Sequence, residues 1–397
     1  MTSIRRHRIW NALYTFASYK EKLVDLKELR EQIDITDRQI AALYEQRMDI
    51  ARRVAEYKIA NGKNIFDKAR EAEKLEQVKG FVENDFNKKG VQELFEHLMA
   101  MSRKLQYKMI TERGFSGNFP FQAVEKHETE GARVVVQGAE GSYSDAAMMK
   151  YFGNNISCCH MDTFREAMEA LEEGRYDYAI LPIENSTAGS VSEIYDLLTE
   201  FDCYIVGEQI IRIEHCLMGI HGTKKEDIRT VLSHPQSLLQ SADYLSRHPW
   251  QQIGMRNNAF AARKVAEERD MTQAAVAGEQ AAEIYGLEIL EKGINSSRDN
   301  STRFIIVSNR KVFRTDAKKI SICIELPHQS GSLYNILSHF IYNNLNMTKI
   351  ESRPVEDRSW EYRFFIDFEG NLAQSAVKNA LRGIREEARS IKILGNY

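Results

Sequence analysis

From Glu21 to Ala60 the chain carries no Gly and no Pro, and Leu26, Leu29, Ile33, Ile40, Leu43, Ile50 and Val54 recur at helical spacing. The spacing predicts one long helix. At 1.5 Å per residue it would run about 60 Å, further than a small domain covers, so packing against a second copy with helices shared between subunits is expected. Asn61-Gly62 ends it, Asp67 caps a second helix carrying Arg70 and Glu71, and a third helix is predicted from about Val91 to Ile110.

Beyond this the period changes. Gly114 to Pro120 breaks the helical pattern and Glu125 to Gly131 is polar, placing a linker over 113–131. Arg133 to Gln137 reads as a buried strand running into the loop Gly138 to Ser144 and a helix from about Asp145. Helical patterns over Phe164–Glu173, Ser192–Glu200 and Phe260–Arg269 then alternate with strand patterns at Tyr178–Ile183, Thr230–Leu232, Ala274–Gly278 and Phe304–Ser308. Such alternation predicts an α/β fold over 132–312. From Lys319 the order changes to strand, helix, two strands, helix and a short strand (Ile391–Leu394), a ferredoxin-like βαββαβ unit over 318–397.

Composition narrows the class. A chain of 397 residues exceeds one ordinary core. The formal net charge of −3 argues against bulk nucleic-acid binding. No stretch matches a membrane span, and Met1 to Tyr19 mixes Arg5, Arg6, His7 and Arg8 with aromatics rather than forming a signal core, so a cytoplasmic protein is expected. The five cysteines lack paired metal spacing, and no metal or cofactor is expected.

Three stretches carry candidate chemistry. On the first helix Arg47 and Lys58 stand eleven residues apart, on the side of Val54, and Ser102 and Gln106 share a face of the third. Cations on an inward seam imply an anionic ligand, because unpaired buried charge is costly. The apolar run Ala179 to Ile183 breaks into Glu184, Asn185, Ser186 and Thr187, and strand ends of this kind line ligand crevices in α/β sheets. The loop Gly138 to Ser144 suits an anion but lacks the dinucleotide and P-loop glycine patterns. Ser233-His234 are adjacent on an extended segment and so point to opposite faces, which disfavours a nucleophile–base pair.

The set Leu29-Arg30-Glu31-Gln32-Ile33, Arg47, Lys58, Asp67-Lys68-Ala69-Arg70-Glu71, Ser102 and Gln106 resembles the all-helical chorismate mutases. That resemblance implies that Arg47 and Arg30 bind the carboxylates of chorismate, with Arg30 from the partner subunit, and that Lys58 and Gln106 meet the ether oxygen. Asp67 and Glu71 would meet the hydroxyl region, and Arg70 and Ser102 complete the pocket. Gly141 to Ser144, Pro182 to Ser186, Ser233 to Gln236 and Thr302-Arg303-Phe304 resemble prephenate dehydratase. The implied fold is two α/β lobes similar to periplasmic binding proteins, with Asn185, Ser233, Gln240 and Thr302 catalytic and Arg303 a carboxylate anchor. One departure is Asn257-Asn258-Ala259-Phe260, where the family has Ser, Thr and Ala.

The last unit resembles an ACT domain. By that resemblance Gly331, Ser332 and Leu333, with Glu351, Ser352, Arg353 and Pro354, bind phenylalanine; Ser332 and Tyr334 depart from the usual Ala and Val. The expected architecture is thus multidomain: an all-α mutase bundle (1–112, with an extension 1–20), a two-lobed α/β dehydratase domain and an α+β regulatory domain. The expected partners are chorismate, prephenate, phenylalanine and further copies of the chain, as a homodimer or larger. The alternatives are a ligand-binding regulator, or a mutase whose dehydratase lobe is impaired at 257–260.

Overall fold

A computed structural model describes residues 25–113, 119–355 and 358–397; the expected extension 1–20 and the first turn of the long helix lie outside them. The chain divides into two compact units between Arg113 and Gly114.

The first unit is helical. Helix α1 (Leu26–Ala60) starts at Asp25, whose carboxylate accepts from Lys27 N at 3.1 Å, and Gly62 leaves it in a left-handed conformation. Helix α2 (Lys68–Lys79) is capped by Asp67. Helix α3 (Asp85–Glu112) begins about a turn and a half before the predicted start, because Asn84 accepts from Phe86 N and Asn87 N and the helix runs through Gly90. Only Ala51 and Ala55 of α1 are buried, while its apolar seam, Leu26 through Val54, stays 40–64 % exposed. A stripe of this kind ordinarily faces a core.

Among its described residues the second unit holds seventeen strands. They are β1 (Gln122–Val124), β2 (Arg133–Gln137), β3 (Ser157–Met161), β4 (Tyr178–Asn185), β5 (Gly189–Ser190), β6 (Tyr204–Arg212), β7 (Cys216–Gly219), β8 (Thr230–Ser233), β9 (Gln251–Gly254), β10 (Gln273–Ala277) and β11 (Glu288–Glu291). β12 (Ser301–Ser308), β13 (Val312–Arg314), β14 (Lys319–Glu325), β15 (Met347–Val355), β16 (Arg358–Glu369) and β17 (Ser390–Asn396) follow. The helices that matter for the sites are α4 (Tyr143–Phe152), α5 (Phe164–Glu172), α6 (Ser192–Glu200), α7 (Pro235–Gln240), α8 (Ala242–Leu245) and α9 (Asn258–Glu268). Then come α10 (Glu279–Tyr285), α11 (Ser332–Tyr342) and α12 (Ser375–Glu387).

A five-stranded sheet has the order β11-β7-β10-β8-β9, and a larger one β15-β16-β14-β17-β6-β12-β4-β2-β3, with β5 paired to β4. In the larger sheet β2 has β3 on one side and β4 on the other; in the smaller, β8 lies between β9 and β10. Each sheet therefore reverses strand order once, and at such points the loops after the strands diverge to leave a crevice. The chain crosses between the sheets twice, over 213–215 and 292–300.

Two features depart from the sequence reading. The linker is not irregular throughout, because β1 pairs in parallel with β13. The βαββαβ unit does not stand apart either: its last strand, β17, continues the larger sheet through Gly395 opposite Ile205 of β6. A Cβ at Gly395 would lie 2.0 Å from Ile205 O, so the close approach requires glycine there. The core follows the sheet, with Cys323, Phe365 and Leu394 packing among Leu181, Leu198 and Ile305.

Candidate active sites

The helical unit holds a cavity of about 260 Å³ lined by Arg47, Ile50, Ala51, Val54 and Lys58 of α1, Ile65, Asp67, Arg70 and Glu71, and Met99, Ser102, Arg103 and Gln106 of α3. Seven of the eight expected mutase residues meet here. Arg47 Nη1 donates to Ser102 Oγ at 2.5 Å and to Leu98 O at 2.8 Å, and burial lowers its pKa, opposed by the Glu71 carboxylate. Lys58 Nζ donates to Ile65 O at 2.5 Å. Gln106 Oε1 is buried with no hydrogen-bond partner among the described residues. Arg30 is absent from the lining: seventeen residues before Arg47, it lies about 25 Å away along the helix. Arg103 was missed by the sequence reading. It pairs with Glu71 and stacks on Phe66 with 5.0 Å to the ring centre. Met99, Ser102, Arg103 and Gln106 follow an i, i+3, i+4, i+7 pattern, so its signal was present.

A second cavity, about 290 Å³, opens where the two crevices of the sheets face one another. Its lining comes from the ends of and the segments after β2 (Ser142, Tyr143), β4 (Asn185, Ala188 to Val191), β8 (His234, Gln236, Gln240), β9 (Asn257, Asn258) and β10 (Gly278), with Thr302 from β12 and His215 from a crossing segment. Among the described residues no Asp, Glu, Lys or Arg lines it, and burial lowers the pKa of both lining histidines, His215 and His234. The cavity is thus uncharged at neutral pH.

Asn185 Nδ2 donates to Thr302 Oγ1 at 2.9 Å and to Asn300 Oδ1 at 2.8 Å. Asn185 Oδ1 accepts from the backbone N–H of Thr187 and Ala188 at 3.0 and 2.9 Å and from Gln240 Nε2 at 3.2 Å. Gln240 Oε1 lies 3.0 Å from His215 Nε2, and His215 Nδ1 lies 3.0 Å from Tyr143 Oη. Asn185, Gln240 and Thr302, three of the five expected dehydratase residues, therefore belong to one network. Tyr143 belongs to the Gly138–Ser144 loop singled out in the sequence, whereas His215 was not anticipated, since an isolated His after an apolar strand carries no sequence signal.

The other two are elsewhere. Ser233 is fully buried behind the lining, its Oγ 2.6 Å from Val276 O and 3.1 Å from Asn258 Oδ1. Arg303 follows Thr302 on β12 and so points to the opposite face. There it meets Asp367, Glu184 and Glu208 at 3.1, 3.2 and 3.4 Å, away from the cavity. The unusual loop has a structural account. Asn257 Oδ1 caps α9 by accepting from Phe260 N at 2.8 Å, and Asn258 Oδ1 accepts from His234 N and Ser237 Oγ. Asn257 Nδ2 is buried without a partner among the described residues, and Phe260 turns out of the lining to stack under Arg263.

Of the expected effector residues, Ser332 and Leu333 line a cavity of about 330 Å³ with Leu326, His328, Tyr362 and Phe364, and Gly331 supplies the left-handed turn before α11. Glu351 and Arg353 are not part of it; they contact Ser190 and Asp196. Ser352 and Pro354 alternate with them on β15 as exposed residues.

The prephenate dehydratase family matches residues 134–312 and the chorismate mutase type II family residues 29–107. A bifunctional chorismate mutase/prephenate dehydratase of Pseudomonas aeruginosa is 32 % identical over 94 % of this chain and 97 % of its own. Two solved structures each cover 67 % of this chain. One, described as GqqA, a novel type of quorum quenching acylases, is 32 % identical with a TM-score of 0.62 over 97 % of its length. The other, Arthrobacter aurescens prephenate dehydratase in complex with L-Phe, is 27 % identical with a TM-score of 0.63 over 89 %.

A basic cavity in a helical unit and an uncharged one in an α/β unit define a two-site enzyme. The chain belongs to the bifunctional chorismate mutase/prephenate dehydratase family. It isomerises chorismate to prephenate and dehydrates prephenate to phenylpyruvate, two steps of phenylalanine biosynthesis.

Proposed function

We propose that the cavity of the helical unit is the mutase site and the uncharged cavity the dehydratase site. The Claisen rearrangement breaks a C–O bond and forms a C–C bond with no proton transfer, so it needs a clamp for a flexible dianion and a donor at the ether oxygen. Arg47 and Arg103 suit the clamp and Lys58 with Gln106 the ether oxygen. Asp67, Arg70, Glu71 and Ser102 surround the rest of the substrate. Arg30 joins from a second copy, whose long helix covers the open apolar seam, so the working form is at least a homodimer.

In the second site the ring C–O bond breaks, the carboxylate leaves as carbon dioxide, and its C–C bonding pair enters the ring. Prephenate dianion and one proton become phenylpyruvate, carbon dioxide and water. Thr302 donates a hydrogen bond to the departing hydroxyl oxygen, held by Asn185 and Gln240. An uncharged wall suits this reaction, because a cation bound to the carboxylate that leaves as neutral gas would stabilise the ground state most. The observation that carries the reading is the 2.9 Å Asn185–Thr302 contact inside the cavity. The two sheets correspond to two lobes, and the βαββαβ unit to an ACT domain through which phenylalanine inhibits, with Gly331 to Leu333 and Glu351 to Pro354 as its binding residues.

One incubation with chorismate tests the whole. Chorismate loss and phenylpyruvate appearance are followed separately, with and without phenylalanine. Phenylpyruvate formation suppressed by phenylalanine is expected; prephenate accumulating without phenylalanine would refute the second site.

A further inference from the structure

The direction of each hydrogen bond in the dehydratase network follows from two backbone groups. Thr187 N–H and Ala188 N–H both point at Asn185 Oδ1, which makes that atom the carbonyl oxygen and its neighbour the amide nitrogen. The Asn185 Nδ2 hydrogens then face Asn300 Oδ1 and Thr302 Oγ1 at 2.8 and 2.9 Å, with Ser301 O further off at 3.3 Å. Thr302 accepts here, so its own hydrogen is free to point elsewhere in the cavity. Gln240 must present its amide nitrogen to Asn185 Oδ1 and to Thr187 Oγ1, 2.8 Å away, which turns its oxygen toward His215. An oxygen can only accept, so His215 Nε2 carries the ring hydrogen, and Nδ1 lies 3.0 Å from the Tyr143 hydroxyl, whose other neighbour is Glu214 O at 2.9 Å.

His215 also occupies a particular place in the fold. It lies on the crossing segment between β6 and β7, tied to the second crossing by His215 N to Asn295 Oδ1 at 2.7 Å and Ile294 N to His215 O at 3.0 Å. Its ring stands between Tyr143, which follows the larger sheet's β2, and Gln240, which follows the smaller sheet's β8. It is 1 % exposed. A rotated ring would release Gln240, and Gln240 is the group that reaches from the smaller sheet back to Asn185.

We propose that His215 is a positioning residue for the dehydration step, fixing Gln240 and through it Asn185, so that the Thr302 hydroxyl is held as a donor to the leaving oxygen. This deepens the reading of the second cavity and rests on Thr302 acting there.

The test uses the full chain, with mutase turnover as internal control, since that site lies in the other compact unit. His215→Asn removes the donor at the Nε2 position; His215→Gln keeps an amide N–H near it. Dehydratase kcat of His215→Asn should fall roughly 10²-fold, as for loss of one oriented transition-state donor, with KM for prephenate little changed. His215→Gln should recover much of the loss, and in a Thr302→Val background His215→Asn should cost nothing further. Wild-type kcat in His215→Asn, equal losses in the Asn and Gln variants alongside a lowered melting temperature, or a full additional loss on Thr302→Val would each overturn the inference. Full activity in Thr302→Val alone would instead refute the underlying assignment of the cavity.

Discussion

Ser190 Oγ donates to Glu351 Oε2 at 2.6 Å, joining the wall of the dehydratase cavity to a residue of the proposed effector site. Lys349 Nζ lies 3.0 Å from the same hydroxyl and 3.0 Å from Glu184 Oε1, and Arg353 pairs with Asp196 at 2.5 Å. β15 therefore grips the segment that runs from the end of β4 into α6. An effector ammonium drawing Glu351 away would compete with Ser190, and the two equilibria are linked. Ser190→Ala should lower the phenylalanine concentration for half-inhibition about five-fold, as expected for losing roughly 1 kcal/mol of the unliganded arrangement. Phenylpyruvate formation titrated with phenylalanine gives the value; an unchanged midpoint would remove Ser190 from the coupling.

Arg303 is 12 % exposed at its side chain among three carboxylates. Burial alone would lower its pKa, but Tyr397, Asp367 and Glu208 together raise it. Removing the cation leaves those carboxylates facing one another, at about 3–5 kcal/mol. Arg303→Ala should lose that much in urea unfolding while KM for prephenate stays near wild type. A large rise in KM with stability intact would restore the carboxylate-anchor role expected from the sequence.

Lys58 is the cation expected at the breaking C–O bond, where charge develops only in the transition state. Lys58→Ala should cut mutase kcat roughly 10²–10³-fold with a smaller change in KM, leaving conversion of added prephenate untouched. The shared-helix arrangement is checked by mixing Arg30→Ala and Arg47→Ala chains. Neither alone should turn over chorismate appreciably, whereas mixed dimers regain one intact site.

Asn257 separates a cap from a ligand donor. Ser and Asp both cap helices well, so Asn257→Ser and Asn257→Asp should keep the melting temperature. Both lose the buried, unpartnered amide donor, and Asp adds a negative charge against a dianion. KM for prephenate should rise about ten-fold for Ser, as for one hydrogen bond to a charged group, and further for Asp. Equal KM values across the three proteins would leave Asn257 only its cap.

His127, His215 and His234 all have pKa values lowered by burial. Below the ordinary value of about 6.5 the unfolded chain takes up protons that the folded one refuses, so the unfolded state binds more and stability falls with falling pH. The melting temperature of the α/β unit should decline from pH 7 toward 5, less steeply in His215→Gln. A flat profile would contradict the depressed values.

Much of the site was legible because periodicity and neighbouring residues encode it. Arg47, Lys58, Ser102 and Gln106 stand at helical spacings that bring them onto one cavity, and the apolar run ending at Asn185 marked a strand end at a crevice. Arg303 and Ser233 stand outside the cavity lining because a motif names consecutive residues, whereas a strand sends neighbours to opposite faces. The effector residues likewise divide between a cavity near α11 and contacts with α6, which no local pattern foretells.

The order of the main elements and the helical and α/β classes were determined by the sequence alone, because amphipathic period and turn residues are local properties. Tertiary structure decided the rest. It joined β17 to β6 through Gly395, turned Arg303 into a link between Glu184 and Asp367, and enclosed His215 between Tyr143 and Gln240. Each of these depends on residues far apart in the chain meeting at one distance and one angle, and hydrogen bonds and buried charges are sensitive to both.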